Sequence, residues 1–99
     1  MAMINWTYEN NIAVFKGELS RNTINDSFEK KTMTLFNNED LVIDLTDVVK
    51  TDTAGLAWLL LLVEEAKKTK SEISFHNIPQ DLLKLAKLSA VDLFLPVKI

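Results

Sequence analysis

The chain has no cysteine, only 2 glycines and 2 prolines among its 99 residues, and no long hydrophobic run. The lack of cysteine excludes disulfides, thiolate metal sites and a cysteine nucleophile, and it is compatible with a reducing compartment. No glycine-rich loop is present to hold the phosphates of a nucleotide. The longest strongly apolar run, residues 54–63, is about half the length of a membrane span, so we expect no transmembrane helix.

The chain also lacks an excess of positive charge. The formal net charge is −3, and the basic residues are scattered rather than clustered. This distribution provides no electrostatic footprint for DNA or RNA. Residues 1–11 contain no apolar core of the length that a signal peptide needs. We therefore expect a cytoplasmic protein that binds no nucleic acid and forms a single domain over residues 1–99.

Turn residues and hydrophobic spacing predict the first three elements. Residues 3–8 and 12–17 are typical of two strands around Glu9-Asn10-Asn11, because asparagine tolerates the positive φ of a tight hairpin. Helical spacing predicts a first helix from Thr23 to about Asn37, with Thr23 and Asp26 as a capping pair.

The rest of the chain alternates strands and helices. The predicted elements are a buried strand at Leu41–Leu45, a helix at Thr53–Lys68, a strand at Glu72–His76, a helix at Pro79–Ser89, and a short strand or cap at Val91–Leu95. A strand-helix-strand unit crosses over to a parallel neighbour, so the strands near 41–45 and 72–76 should be parallel. The expected fold class is α/β, with helices packed on a mixed sheet.

The second predicted helix is apolar over much of its circumference. One set of residues at helical spacing is expected to pack on the sheet: Leu56, Leu59, Leu60 and Val63. A second set follows on another side: Trp58, Leu61, Leu62 and Glu65. We expect Leu61 and Leu62 to pack against the other two helices. For Trp58 the pattern allows two roles, a position in the core or a contact with a partner. The second is included because tryptophan anchors interfaces well.

The turn before this helix has a family resemblance. A strand ending at Asp44-Leu45, followed by residues 48–56 with Asp52-Thr53-Ala54-Gly55-Leu56, resembles the signature turn of STAS domains, the family of anti-sigma factor antagonists. Gly17-Glu18-Leu19 is similar to the end of that family's second strand, although Ser20 stands where the family commonly has aspartate. Residues 85–88 and 91–96 resemble most the stand-alone STAS subunit of the Mla-type phospholipid ABC transporters of Gram-negative bacteria. The resemblance covers nearly the whole chain and implies a STAS-like fold.

The resemblance to the transporter subunit implies a non-catalytic accessory protein that helps to maintain outer-membrane lipid asymmetry. It would need no cofactor and would lie at the inner membrane through the complex. Its partner would be the ATPase subunit, and through it the permease. The implied contact is centred on Thr53 and Trp58, and is shaped by Asp52, Ala54, Gly55 and Leu61.

The resemblance to the antagonists implies an alternative function. There the residue after the motif aspartate is the phosphorylated hydroxyl, which is Thr53 here, and the partner is a kinase-type anti-sigma factor. The helix dipole would tolerate a phosphate on Thr53, whereas Asp52 would repel it and a docked partner would be displaced. Structural roles are open too, because Asp52 can cap the helix and Gly55 can allow a close backbone approach.

An enzyme is a third interpretation of this sequence. Asp44, Asp47 and Asp52 lie near the carboxyl end of a strand, where three carboxylates can in principle hold Mg²⁺. Strand-end aspartates are more often turn formers or caps, and no nucleophile or base accompanies them. His76, on a predicted strand, is more simply a solvated or hydrogen-bonded side chain than a ligand. We therefore predict neither catalytic residues nor a metal site.

Overall fold

The strands form one mixed sheet in a computed structural model that describes residues 2–36 and 40–98. Their spatial order follows the chain: β1 Ile4–Glu9, β2 Ile12–Leu19, β3 Leu41–Thr51, β4 Ile73–His76 and β5 Val97–Lys98. β1 is antiparallel to β2, and every later neighbour is parallel. The predicted mixed sheet and the parallel pairing of β3 with β4 are confirmed. The strand considered for residues 91–95 is wrong, because Asp92–Phe94 form a 3-10 turn and the last strand, β5, follows it.

Three helices connect the parallel strands: α1 Asp26–Met33, α2 Thr53–Thr69 and α3 Gln80–Leu88, the last followed by a 3-10 turn at Asp92–Phe94. The predicted start of α1 is wrong, since Asn25 is the N-cap and its side chain accepts from the backbone N of Phe28 at 2.8 Å. Thr23 instead donates to the carbonyl of Glu18. Asn37, the predicted end of this helix, lies outside the described residues.

β3 is longer than its apolar run. It continues to Thr51 because β2 remains paired with it through two register shifts, which join Lys16 to Asp47 and Leu19 to Thr51. Bulges of this kind keep two strands paired where the side-chain alternation is interrupted. The sequence predicted only the first part of this strand because the polar residues Thr46 and Asp47 interrupt its apolar run.

The β1–β2 hairpin closes as the asparagines indicated. Asn10 and Asn11 have φ values of 52° and 64°, the left-handed conformation that a two-residue hairpin turn requires. The Tyr8 hydroxyl donates to the Asn11 side chain at 2.8 Å and braces the turn. The two asparagines were therefore sufficient to predict the hairpin from the local sequence.

The helices pack on one face of the sheet, and the core lies between these two layers. Along β3 the side chains of Leu41, Ile43 and Leu45 are buried, whereas Val42 and Asp44 on the opposite face are only half-buried. Alternation of this kind is typical of a sheet with one covered face. On the covered face four aromatic rings form a cluster with centroids 5.0–6.3 Å apart: Trp6, Phe15, Phe28 and Trp58.

The topology gives the two long helices the same direction. α2 starts directly after the carboxyl end of β3, and α3 starts after the carboxyl end of β4. Both end shortly before the next parallel strand begins, so their carboxyl ends lie at the amino edge of the sheet. Among the described residues, no helix combines the length and the apolar character needed to cross a membrane.

Candidate functional site

Two turns meet at the carboxyl edge of β2 and β3. The β2–α1 turn, residues 20–25, and the β3–α2 turn around Asp52 are adjacent because Leu19 pairs with Thr51 at the ends of two parallel strands. The backbone N–H of Arg21 donates to Asp52 Oδ2 at 3.1 Å and joins the turns directly. This bond could not be predicted from the sequence, since its partners are 31 residues apart.

Asp52 caps α2. Its Oδ1 accepts from the backbone N of Ala54 at 2.9 Å and of Gly55 at 3.3 Å, which satisfies two of the free donors at the helix start. Its other oxygen accepts from Arg21. The carboxylate therefore fixes the start of α2 against the neighbouring turn, the structural role that its position in the sequence allowed.

Gly55 lies where α2 touches the end of β2. A Cβ built on Gly55 would stand 2.6 Å from the carbonyl oxygen of Leu19, which is backbone and has little freedom to move. Leu19 is completely buried. Glycine is therefore required here for the close backbone approach that the sequence suggested.

Ser20 organises the β2–α1 turn. It is 2% exposed, its hydroxyl donates to Glu18, and it accepts from the backbone N of Asn22 at 3.1 Å. The Asn22 side chain also donates to Glu18 at 3.0 Å. The hydrogen bonds that Glu18 accepts from the side chains of Ser20 and Asn22, together with the charge of Lys50, hold the pKa of Glu18 below its ordinary value. The buried serine of this turn therefore orients the carboxylate of Glu18.

An exposed row runs along the outer side of α2. Thr53, Ala57 and Leu61 are all exposed and follow one another at a spacing of four residues, which places them on one face of the helix. Leu61 retains 39% exposure. We call these three residues the α2 surface row. Ala57 was not among the predicted contacts, because an alanine in an apolar run carries no distinct signal.

The comparison with protein families agrees with this geometry. The family model described as MlaB, STAS domain matches residues 14–96, which include both turns and all of α2. The chain belongs to the STAS domain family. A comparison with curated proteins finds no match. The predicted family and its α/β fold are thereby confirmed, and the matched range includes the Asp52-Thr53 turn.

Trp58 requires a correction. In this STAS domain it is 1% exposed, its indole N–H donates to the Thr32 hydroxyl at 3.1 Å, and its ring meets Phe15 edge-on. The prediction that Trp58 contacts a partner is therefore wrong: it joins α2 to α1 inside the core. Leu62 is buried as expected, whereas Leu61 lies on the outside.

The aspartates near the end of β3, Asp44, Asp47 and Asp52, have different surroundings. Asp44 accepts from Thr46 and from the Asn77 side chain, and Asp52 caps α2. Partial burial raises the pKa of Asp44, but the hydrogen bonds outweigh it and the net pKa is below the ordinary value. Asp47 is exposed beside Lys16 in the strand register. Within the described ranges, no three potential ligands stand close enough to hold a metal ion.

Substitution of Gly55 by alanine should destabilise the domain although alanine is the better helix former. The gain in helix propensity is about 1 kcal/mol, whereas forced overpacking against backbone costs about 1–3 kcal/mol. We expect a net decrease in melting temperature of several degrees, measured by circular dichroism. Ala57→Gly is the matched control, since it loses only the propensity. A Gly55→Ala variant that melts above wild type would show that the contact with Leu19 relaxes freely, because only the gain in helix propensity would remain.

Proposed function

We propose that this STAS domain is a non-catalytic accessory subunit of a phospholipid ABC transporter, and that it binds the ATPase subunit through the signature turn and the start of α2. The match to the MlaB, STAS domain model over residues 14–96 is the observation that carries the proposal. Such a subunit would support the maintenance of outer-membrane lipid asymmetry from the cytoplasmic side of the inner membrane.

The α2 surface row supports a protein contact at this place. Small and apolar side chains at Ala57 and Leu61 let a partner approach the helix closely, while the Thr53 hydroxyl at its start supplies a polar contact. The Thr53 side chain is exposed, so its hydroxyl is available to a partner. Asp52 and Gly55 act indirectly, by holding this surface in position.

In this mechanism the chain presents a rigid docking surface and carries out no chemical step. The linked turns and the aromatic core hold the start of α2 rigidly, so little conformational entropy is lost when a partner docks. A subunit that binds one assembly state of the ATPase more tightly than another shifts the population toward that state. Any ATP hydrolysis then belongs to the partner.

Substitution of Ala57 by lysine should abolish docking without unfolding the domain. Ala57 is exposed and lysine is a good helix former, so we expect stability to change by less than about 0.5 kcal/mol. The long charged side chain would separate the facing surfaces. The measurement is co-purification of the tagged chain from detergent-solubilised membranes of the native host, with proteins identified by mass spectrometry.

A matched control places the same substitution elsewhere. Thr7 lies exposed in the middle of β1, so Thr7→Lys adds an equal charge away from α2. We expect an ABC ATPase and its permease with wild type and Thr7→Lys, and neither with Ala57→Lys. Retention of both proteins by Ala57→Lys would contradict docking through the α2 surface row.

The exposed hydroxyl of Thr53 favours one second function. An anti-sigma factor antagonist needs a phosphoacceptor that a kinase can reach, and Thr53 is exposed at a helix start that tolerates negative charge. A phosphate there would stand beside Asp52 and act as an off switch for docking. Incubation with a kinase-type anti-sigma factor and ATP distinguishes the functions, because the antagonist requires label on Thr53.

A further inference from the structure

A group of exposed apolar side chains lies at the end of the molecule opposite to Thr53. Leu88 ends α3 with 85% of its surface exposed, and the adjoining 3-10 turn presents Leu93 at 93% and Phe94 at 63%. The turn packs on α3, so the three residues belong to one region. Isolated exposed leucines are common, but three large side chains this exposed at one junction mark an interaction site.

Lysines accompany these side chains. Lys84 and Lys87 are exposed on α3, and neither is paired with a carboxylate in the part of the chain that the structure describes. Asp92 is the one carboxylate in residues 84–94. Positive charge therefore exceeds negative charge locally, although the whole chain is acidic.

We propose that Leu88, Leu93 and Phe94, here called the α3 apolar tip, insert into the headgroup region of an anionic phospholipid bilayer while Lys84 and Lys87 contact the headgroups. Shallow insertion of apolar side chains combined with basic residues is the way peripheral proteins bind such surfaces. The chemistry recognised is a phosphate-bearing lipid surface, and the α3 apolar tip is distinct from the α2 surface row.

The size of the tip favours a bilayer over a second copy of the chain. Three side chains of this kind expose on the order of 400 Å², roughly half of the ~800 Å² per partner of a stable protein interface. A bilayer adapts to a small protruding tip and adds electrostatic attraction. Because α2 begins at the carboxyl edge of the sheet and the tip lies at the amino edge, a partner docked at Thr53 leaves the tip free.

Vesicle co-sedimentation of the whole chain tests the proposal without any transporter protein, so its result is independent of the proposed ATPase contact. We expect binding to vesicles of phosphatidylcholine mixed with phosphatidylglycerol, much weaker binding to phosphatidylcholine alone, and loss of binding at high salt. Leu93→Ser should weaken binding at least tenfold, because the variant loses the free energy of moving one leucine side chain from water into an apolar environment. Lys84→Gln with Lys87→Gln should weaken it about 25-fold at low salt.

Val49 provides the matched control. It is 84% exposed and apolar like the tip, but lies on β3, so Val49→Ser should bind as wild type does. Circular dichroism verifies that each variant is folded, which their exposure leads us to expect. No binding to the mixed vesicles, or equal loss with Val49→Ser, would overturn the proposal. So would a dimer in sedimentation velocity that Leu93→Ser dissociates, because the tip would then join two copies.

Discussion

Replacing Trp58 by alanine should lower the free energy of unfolding by about 3–5 kcal/mol, the largest stability change expected of any substitution considered. The side chain is 1% exposed, forms aromatic contacts with Phe15 and Phe28, and bonds the Thr32 hydroxyl. Its removal leaves a cavity between α1, α2 and β2. For a domain of this length the melting temperature should fall on the order of 20 °C, as measured by thermal circular dichroism.

Two control variants separate packing from binding. Trp58→Phe keeps most of the ring volume and loses the bond to Thr32, so we expect a smaller loss of about 1–2 kcal/mol. Leu61→Ala removes an exposed side chain and should change stability by less than about 1 kcal/mol. A Trp58→Ala protein that stays folded but loses its partner would restore the discarded surface role of Trp58.

Substitution of Thr53 by glutamate should weaken binding of the partner strongly while leaving the domain folded. A carboxylate buried in an interface without a counter-charge costs at least about 2–3 kcal/mol, equivalent to a dissociation constant roughly 30- to 150-fold higher. The fold should tolerate the change, because Thr53 is exposed in the first turn of α2, where the dipole favours negative charge. Lipid transport should fail for the same reason.

The test of Thr53→Glu needs variants that separate charge from size. Thr53→Gln has the same bulk without the charge, and Thr53→Ser keeps the hydroxyl; we expect intermediate binding for the first and nearly full binding for the second. The readouts are co-purification of the ATPase subunit, lipid transport and melting temperature. Normal transport with Thr53→Glu would exclude a contact centred on Thr53. Equal loss with Thr53→Gln would show that size, and not charge, disrupts docking.

The sequence alone located most of the secondary-structure elements. The spacing of hydrophobic residues and the turn residues located both hairpin strands, the apolar part of β3 and α2. These signals can be read from the sequence because they depend only on residues that are close together in the chain. The same holds for Asp52, whose position before an apolar helix marks it as a cap. The signature turn, set between a strand and a helix, was enough to indicate the STAS family.

Only the tertiary structure decided which side of α2 is buried. Apolar residues surround most of this helix, so its sequence pattern leaves its orientation open; packing against α1 and the sheet turns Trp58 inward and leaves Thr53, Ala57 and Leu61 outside. The bond from Arg21 to Asp52 and the close approach of Gly55 to Leu19 likewise join residues more than 30 positions apart. Such contacts depend on which strands become neighbours, a choice made by the whole fold and not by any local pattern.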